Sequence, residues 1–532
     1  MRYFSVDLVR LKNAIKKLFE IHPILKGSIS MYQDKGLVMY RDDKKEIDIP
    51  IYNMTKEEWL ETKNTLIKPY MYGKDDPLYH IGLYNIENEK YFFIDIAHAI
   101  SDGMTLSILL RNLEKLYQGE TVEKESYTFY EFMVDDQFRA ENGLRKRDEL
   151  YFKKLLDGVR LDRTILNKVG NGDLNTEENA VIHDIFYGLN HDELNKFCNK
   201  NGVSKNILFL TAFNHCISIF SDEDDTISTS VHNGRTDSRW ASIAGAVYIV
   251  YNFRYQSNRN KTINEMFETS AKQVMETMCC HINNLHADEM FFQYQGDLFS
   301  DMKLGGEMAV HIPLQLDSMP FHLMVYENKD KFTYELRYWK NRFEEKQLRV
   351  FMEVLEAVVN GMTKSDYVSD IKSYIPKEYL VSEKMVHTAD GKDVIVTIKD
   401  RYGDVQPLGG WGRLFIDDVD TEKIARLTPD GIIDYIEDSG RTVMQESITG
   451  RHFVDLNKVE QDVKAIAEID CEVQAYIKYG ENNKLMLVAD ILTNKEINNK
   501  EDIRETVAAH CKKSHQPTEC IFKKVSIENS EC

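Results

Sequence analysis

Residues Tyr91 to Tyr117, YFFIDIAHAISDGMTLSILLRNLEKLY, change hydrophobic period in mid-course. Aromatic or β-branched side chains at Tyr91, Phe92, Phe93, Ile94 and Ile96 predict a strand buried on both faces. From Met104 onward Leu106, Leu109, Leu110, Leu113 and Leu116 fall three and four apart, the spacing of one helix face. Strand and helix are therefore joined by His98-Ala99-Ile100-Ser101-Asp102-Gly103. Two readings of this loop stand side by side. In one, an imidazole at the end of a strand overlooks a cleft, next to a carboxylate able to orient it, which is the geometry of acid–base chemistry. In the other, Asp102 or Ser101 caps the helix, Gly103 relieves the turn, and His98 is a partly buried core side chain.

A chain of 532 residues has room for two to four compact units, at the usual ~100 to 200 residues each. Its apolar content of 42% is enough to fill real cores. A formal charge of −20 and a pI near 5.3 argue against nucleic acid as a main partner, because phosphate binding needs a basic face. The eight cysteines, Cys198, Cys216, Cys279, Cys280, Cys471, Cys511, Cys520 and Cys532, show no framework spacing, so reduced thiols in a cytoplasmic protein are expected. Met1 to Ile21 is charged and amphipathic, unlike a signal peptide, and nowhere do 18 apolar residues run together, so no membrane partner is expected. Cys279-Cys280-His281 with His286 matches no standard zinc spacing; it reads as helix surface, with no metal.

Along the chain, Leu8, Leu11, Ile15, Leu18 and Phe19 mark a helix face behind a cap at Asp7, and His22-Pro23 ends it. Short strands are expected at Gly36 to Arg41 and Glu46 to Ile51, and Thr55-Lys56-Glu57-Glu58 opens a helix as a capping box. Tyr79 to Tyr84 and Tyr91 to Ile96 read as paired strands. A loop from Leu161 to Asn179 joins two halves. Beyond it come an apolar helix at Val203 to Phe220, a strand at Asp225 to Val231, strand-like alternation over Leu323 to Phe343 and an amphipathic helix at Glu345 to Met362.

HAISDG resembles the HHxxxDG signature of nonribosomal peptide synthetase condensation domains, shared more loosely with chloramphenicol acetyltransferase and other CoA-dependent acyltransferases. Ala97 stands at the first histidine of the pair and His98 at the second. Further similarities follow in order. His22, Leu25 and Lys26 match rHexLRt, with Lys26 at the arginine; Tyr130, Tyr151 and Leu155 match yxdyavw to yWkxxLxg; Asn233-Gly234-Arg235 matches the xgR turn. Gly245 and Arg254 match IGxFVNTxxxR, with Ile249 at the asparagine. The resemblance covers Phe4 to Ile371. The family has a strand and a helix before this point, so the chain is expected to begin after them.

The stretch after Ile375-Pro376-Lys377 resembles the end of an adenylation domain over Val394 to about Ser526. Gln406, Pro407, Gly409, Gly412, Leu414 and Ile416 match QPxGxxGELxI; TEKIARLTPDGIIDYIEDSGRTVMQ is similar to TGDLARWxxDGxIEYxGRxDxQ; and Leu456 and Val459-Glu460 fall at ELGEIE. The ribose-binding aspartate of that family is Lys423 here, the hinge aspartate is Val443, no phosphate loop precedes them, and Ser530-Glu531-Cys532 stand where its catalytic lysine would arrive. Without these groups adenylation has no electrostatic support, so this unit is expected to be a vestigial remnant. Leu408-Gly409-Gly410-Trp411-Gly412 also resembles a carrier protein's LGGxS, but Gly412 has no hydroxyl to accept phosphopantetheine.

The resemblance implies an α/β (α+β) fold: two chloramphenicol-acetyltransferase-like lobes in a V, over 1–165 and 175–375, plus a small α+β adenylation-type unit over 390–532. It implies a condensation-type acyltransferase that joins an acyl or aminoacyl thioester to an amine or hydroxyl, both substrates arriving on 4′-phosphopantetheine arms of carrier proteins, with no cofactor bound directly. His98 would accept the nucleophile's proton or position the nucleophile, and the Gly103 amide would face the developing oxyanion. Asp102 would hold the loop through Lys26, or through Arg254 if the lobes bring it near. Two other readings remain open: a non-catalytic binding module, since Ala97, Lys26, Ile249 and the stripped tail depart from family patterns, and a stand-alone acyltransferase using acyl-CoA.

Overall fold

The computed structural model describes residues 1–532 apart from 33–35, 44–46, 74–75, 158–164, 167–177, 284–289, 299–301, 311–318, 389–390, 436–441, 448–449, 468–470, 480–484, 495–498, 511–515 and 525–532. Most of the loop expected at Leu161 to Asn179, together with His286, lies outside the described residues.

The first lobe grows from a short strand β1 (Arg2–Tyr3) and the helix α1 (Leu8–Ile21). The Asp7 carboxylate accepts the Val9 and Arg10 amides at 2.8 and 3.0 Å, satisfying donors that a helix start leaves without partners. Leu11, Ile15, Leu18 and Phe19 are buried on one face. β2 (Gly27–Tyr32) and β3 (Gly36–Arg41) form a separate hairpin. Of the strand expected at Glu46 to Ile51, Glu46 lies outside the described residues and Ile47 to Pro50 form no strand; β4 (Ile51–Met54) follows, with the Pro50 carbonyl accepting the Leu83 amide at 3.1 Å. Thr55 and Glu58 then form the expected capping box of α2 (Lys56–Thr62). β5 (Tyr79–Ile86) and β6 (Glu89–Ile96) pair antiparallel, and the sheet order is β1-β6-β5-β4. β6 is not buried on both faces along its length. Tyr91 and Phe92 are buried, whereas Phe93 to Ile96 are half-buried, because that part of the strand borders an interlobe cleft. The histidine loop follows, then α3 (Gly103–Gln118), α4 (Phe129–Glu141) and α5 (Leu144–Leu155).

The second lobe contributes β7 (Asn179–Ile185), α6 (His191–Asn201), α7 (Lys205–Ser221), β8 (Asp225–His232), β9 (Ile249–Gln256), α8 (Ile263–Met278) and β10 (Met290–Gly296). Every residue of α7 from Ile207 to Ser221 is buried, which suits a helix apolar all round and central to a large core. β11 (Lys303–Leu304) and β12 (Glu307–Met308) make a ribbon; β13 (Phe321–Asn328), β14 (Lys331–Trp339) and α9 (Glu345–Lys364) complete the lobe. Its sheet runs β7-β14-β13-β10-β8-β9, with β10 parallel to both neighbours.

Two excursions of this second half return to the first lobe. Trp240, Ile243, Ala244 and Val247, between β8 and β9, and Leu304 on β11 belong to the first lobe's core. Glu114 on α3 accepts the amides of Gly305 and Gly306 at 2.7 and 3.2 Å. Conversely Phe152, Ile165 and Leu166 pack into the second core, so the cores interleave across the division at 165–175 read from sequence.

The C-terminal region holds a five-stranded antiparallel sheet, β15 (Lys384–His387), β16 (Asp393–Lys399), β17 (Gly412–Ile416), β18 (Val419–Leu427) and β19 (Ile433–Tyr435). Beyond it, the helices Leu456–Ala467 and Lys500–His510 pack with a three-stranded sheet around a separate small core. The first sheet is built onto the second lobe. The Trp411 amide donates to the Phe220 carbonyl at 2.9 Å, Gln406 Nε2 to the Ile219 carbonyl at 3.0 Å, and Lys372 pairs with Asp400 at 2.6 Å. The carrier-like Leu408 to Gly412 stretch is consumed by this junction, with Trp411 only 1% exposed.

Candidate functional site

The loop between β6 and α3 is held from beneath. Ala97 is buried, its amide donating to the Leu78 carbonyl at 2.9 Å, and its own carbonyl accepts the Ile100 amide at 3.0 Å and the Ser101 hydroxyl at 3.1 Å. The position matching the first motif histidine is therefore a core position, and alanine there removes nothing from the cleft. His98 is exposed and lines the interlobe cleft of about 1860 Å³. Its ring lies 4.7 Å from that of Tyr248, tilted by 43°. Among the described residues no hydrogen bond or ion pair engages its nitrogens.

Asp102, four residues on, is the opposite case. Its Oδ1 accepts the Thr105 amide at 2.7 Å and Arg235 Nη2 at 3.1 Å, and lies 2.8 Å from the Thr105 hydroxyl. Its Oδ2 accepts Arg235 Nη1 at 2.8 Å and the amides of Val247 and Tyr248 at 3.0 and 3.2 Å. The two charged side chains are 2% and 4% exposed. A carboxylate this deep is tolerated only with a cation and several donors around it. Asp102 therefore caps α3 and clamps the excursion at 233–248, and it makes no bond to His98. Burial, followed by the Asp102 charge, pushes the Tyr248 phenol upward.

The clamp corrects two expectations. Lys26 is half-exposed at the end of the turn Pro23–Lys26 and makes no ion pair among the described residues. Arg254 on β9 pairs with Asp225 on β8 and donates to the carbonyls of Leu155 and Asp157 at 2.8 and 3.0 Å, fastening the end of α5 to the sheet. Neither reaches Asp102, whose oxygens are already filled by Arg235. The xgR turn was visible in the sequence, but its partner lies 133 residues away. Gly234 carries the local signal: φ is 67°, and a Cβ there would sit 1.7 Å from the Val247 carbonyl oxygen. His22, matched to the same family segment as Lys26, is a buried structural group bonded to Glu125 at 2.8 Å, and Glu125 in turn accepts the Ala244 amide at 2.7 Å.

Gly103 is the first residue of α3 and borders the cleft. Its amide meets no acceptor among the described residues. A free N–H at the positive end of a helix, on the same cleft as an unengaged imidazole, can receive an oxyanion while the imidazole handles a proton. The cysteine–histidine stretch is less superficial than expected. Cys279 is exposed, but burial pushes the Cys280 thiol up to about 12 and draws His281 down to about 4, as the His281 ring packs edge-on against Trp240 at 5.3 Å.

A family model described as Condensation domain matches residues 4–281. Surfactin synthase subunit 1 of Bacillus subtilis (strain 168) is 23% identical over 380 residues, covering 67% of this chain and 10% of its own length. The chain thus spans a tenth or less of the length of the curated relatives it matches. Among solved structures, the condensation domain from monacolin K polyketide synthase superposes with a TM-score of 0.59 at 14% identity, over 69% of this chain and 91% of that one. A four-domain nonribosomal peptide synthetase bound to AMP and glycine gives 0.67 at 10% identity, over 97% of this chain and 67% of that one. These likenesses show the two-lobed α/β fold. The family model spans the histidine loop and the Arg235 segment that clamps it, more than half of the chain in all, and the chain belongs to the condensation-domain family.

Proposed function

We propose that this chain is a condensation-type acyltransferase, forming an amide or ester bond between a carrier-bound acyl or aminoacyl thioester and an amine or hydroxyl acceptor in nonribosomal peptide-type biosynthesis. The observation that carries the reading is the division of labour within one loop: Asp102 is saturated with donors, while His98 stands unengaged in the cleft that Gly103 also lines. The acceptor attacks the thioester carbonyl, and His98 accepts its proton or holds it in place as charge develops. The Gly103 amide and the start of α3 face the oxyanion, and the thiol departs on the carrier arm with a proton. Base catalysis is worth ~100 to 10,000-fold. Holding two tethered substrates in one cleft contributes at least as much.

Carrier proteins with 4′-phosphopantetheine arms are the partners this chemistry requires; no directly bound cofactor enters the scheme. Intact-mass detection of acyl transfer between candidate carrier proteins, with CoA thioesters run in parallel, tests the reading. Carrier-to-carrier turnover supports it, CoA-only turnover reassigns the donor, and no turnover with any pair favours a binding module.

Residues 390–532 are read as a remnant of an adenylation domain. Support comes from the solved four-domain synthetase, whose superposition extends over 97% of the chain, and from the antiparallel sheet bearing the QPxGxxGELxI-like stretch. Lys423, at the ribose aspartate position, is exposed with its ammonium 5.1 Å from the Tyr435 ring centre, and offers ribose a donor where an acceptor is needed. Pyrophosphate exchange with amino and aryl acids should stay at background. A cytoplasmic location agrees with free thiols at Cys198, Cys216, Cys279, Cys280, Cys471 and Cys520; among the described residues no single helix is long and apolar enough to cross a membrane.

A further inference from the structure

The wall of the cleft contributed by the second lobe is the face of β10, β13, β14 and β7 opposite their core side chains. Strand registers set its rows. His322 is opposite Arg337, and Met324 lies between Gln293 and Glu335, with His183 beyond. Alternate positions, Phe292, Leu323, Leu336 and Ile182, point into the lobe's core. A sheet face toward an apolar substrate would carry apolar side chains at these sites. This one sets a guanidinium, a carboxylate, two imidazoles and an amide among the apolar side chains of Phe291, Met324 and Val181.

Arg337 is the centre of that wall. Its Nε donates to Glu335 Oε1 at 2.6 Å, and the pair is 21% and 15% exposed. Among the described residues its two terminal amino groups meet no acceptor. Glu335 thus fixes one edge of the guanidinium and leaves the forked end to the cleft that His98 also lines. Neighbouring groups are held in place. His322 Nε2 lies 3.2 Å from Gln293 Oε1, with its ring edge-on to Phe291 at 4.6 Å, and the Tyr326 hydroxyl donates to Met324 Sδ at 3.4 Å. Burial, then Glu335, raises the Tyr326 phenol while Arg337 lowers it, so the guanidinium's charge is felt along the wall.

Resting on the condensation reading above, we propose that Arg337 is a specificity-determining residue whose terminal fork binds a free carboxylate on one of the two substrates, so that the preferred donor or acceptor is acidic. A planar fork oriented by a neighbouring carboxylate on a largely covered side chain matches a carboxylate with two parallel hydrogen bonds, which a neutral amide of the same shape cannot reproduce.

The test uses the full chain and two readouts. In carrier-to-carrier transfer, aspartyl and glutamyl substrates are compared with asparaginyl and glutaminyl ones. Wild type should favour the acid at least tenfold; Arg337→Gln should abolish that preference while keeping neutral substrates within about threefold; Glu335→Gln should preserve or increase it. Equal wild-type rates for acid and amide, or equal losses for both in Arg337→Gln, would overturn the proposal. The second readout needs no turnover: calorimetric binding of N-acetylcysteamine thioesters of glutaric acid and of its monoamide, with melting curves for each variant. Acid-selective binding lost in a folded Arg337→Gln supports the carboxylate site even if transfer fails with every carrier pair, which would sink only the condensation reading. Equal wild-type binding of acid and monoamide refutes the site whatever transfer shows. Competition by phosphopantetheine but not by pantetheine, dependent on Arg337, would refute it as well by assigning the fork to a phosphate.

Discussion

His98 and Asp102 are four residues apart in one loop and sit in opposite electrostatic situations. Asp102 has six donors around its two oxygens and almost no exposure; His98 is exposed and has none. A group whose hydrogen-bonding capacity is exhausted within the protein holds structure, and one left unengaged at a cleft is available to a substrate. The shared motif hides this contrast, because both residues are equally fixed in it.

The contrast breaks most visibly at Asp102. Asp102→Ala strands Arg235 in a buried site and should lower stability by ~3 to 5 kcal/mol, with turnover lost alongside; thermal melting that does not move would show that the clamp is not holding the lobes. His98→Ala should do the reverse, reducing transfer by ~100 to 10,000-fold at unchanged melting temperature, and a sharp fall in melting would place the imidazole in the core after all. Acid probes the buried histidines instead. His215 and His232 are drawn from their ordinary value down to about 4 by burial. Folded protein then binds fewer protons than unfolded chain between the unfolded value near 6.5 and pH 4, so their contribution is whole above 6.5 and is lost as pH falls through that window, up to ~3 kcal/mol for a fully buried ring such as His215. Melting recorded from pH 7.5 to 4.5 should show that decline, and a His215→Gln variant that melts normally should show less of it. Lys26→Ala is the smallest effect, within ~0.5 kcal/mol and without change in transfer; a marked loss would restore Lys26 to the site.

Local features were legible in the sequence. α1 with its Asp7 cap, the capping box at Thr55, the β5–β6 hairpin, α3 and α9 each announce themselves through periodicity and a terminal residue within a few positions. His98 and Asp102 could be singled out for the same reason. The partner of Asp102 could not, since a clamp between residues 133 apart leaves no spacing to read, and Lys26 was favoured by its place in a motif. β6 illustrates a related limit. Aromatic and β-branched side chains mark a strand with two covered faces, but pattern does not distinguish burial under a core from burial under a cleft. Nor does any local signal reveal that β10 enters the second sheet between β8 and β13.

The interleaving of the two cores bears on how the molecule is made. Synthesis delivers the first lobe's sheet, its helices and Asp102 well before it delivers Arg235, Trp240, Ile243, Val247 and Leu304, which that lobe needs to close its core and neutralise its buried charge. Until the nascent chain has emerged through Leu304, the first lobe stands with an open apolar face and a carboxylate lacking its cation, a state that favours association with other chains. Finishing one lobe before the next begins is therefore disfavoured, and a chain severed between its halves is expected to give a first half with an incomplete core and an unpaired buried carboxylate.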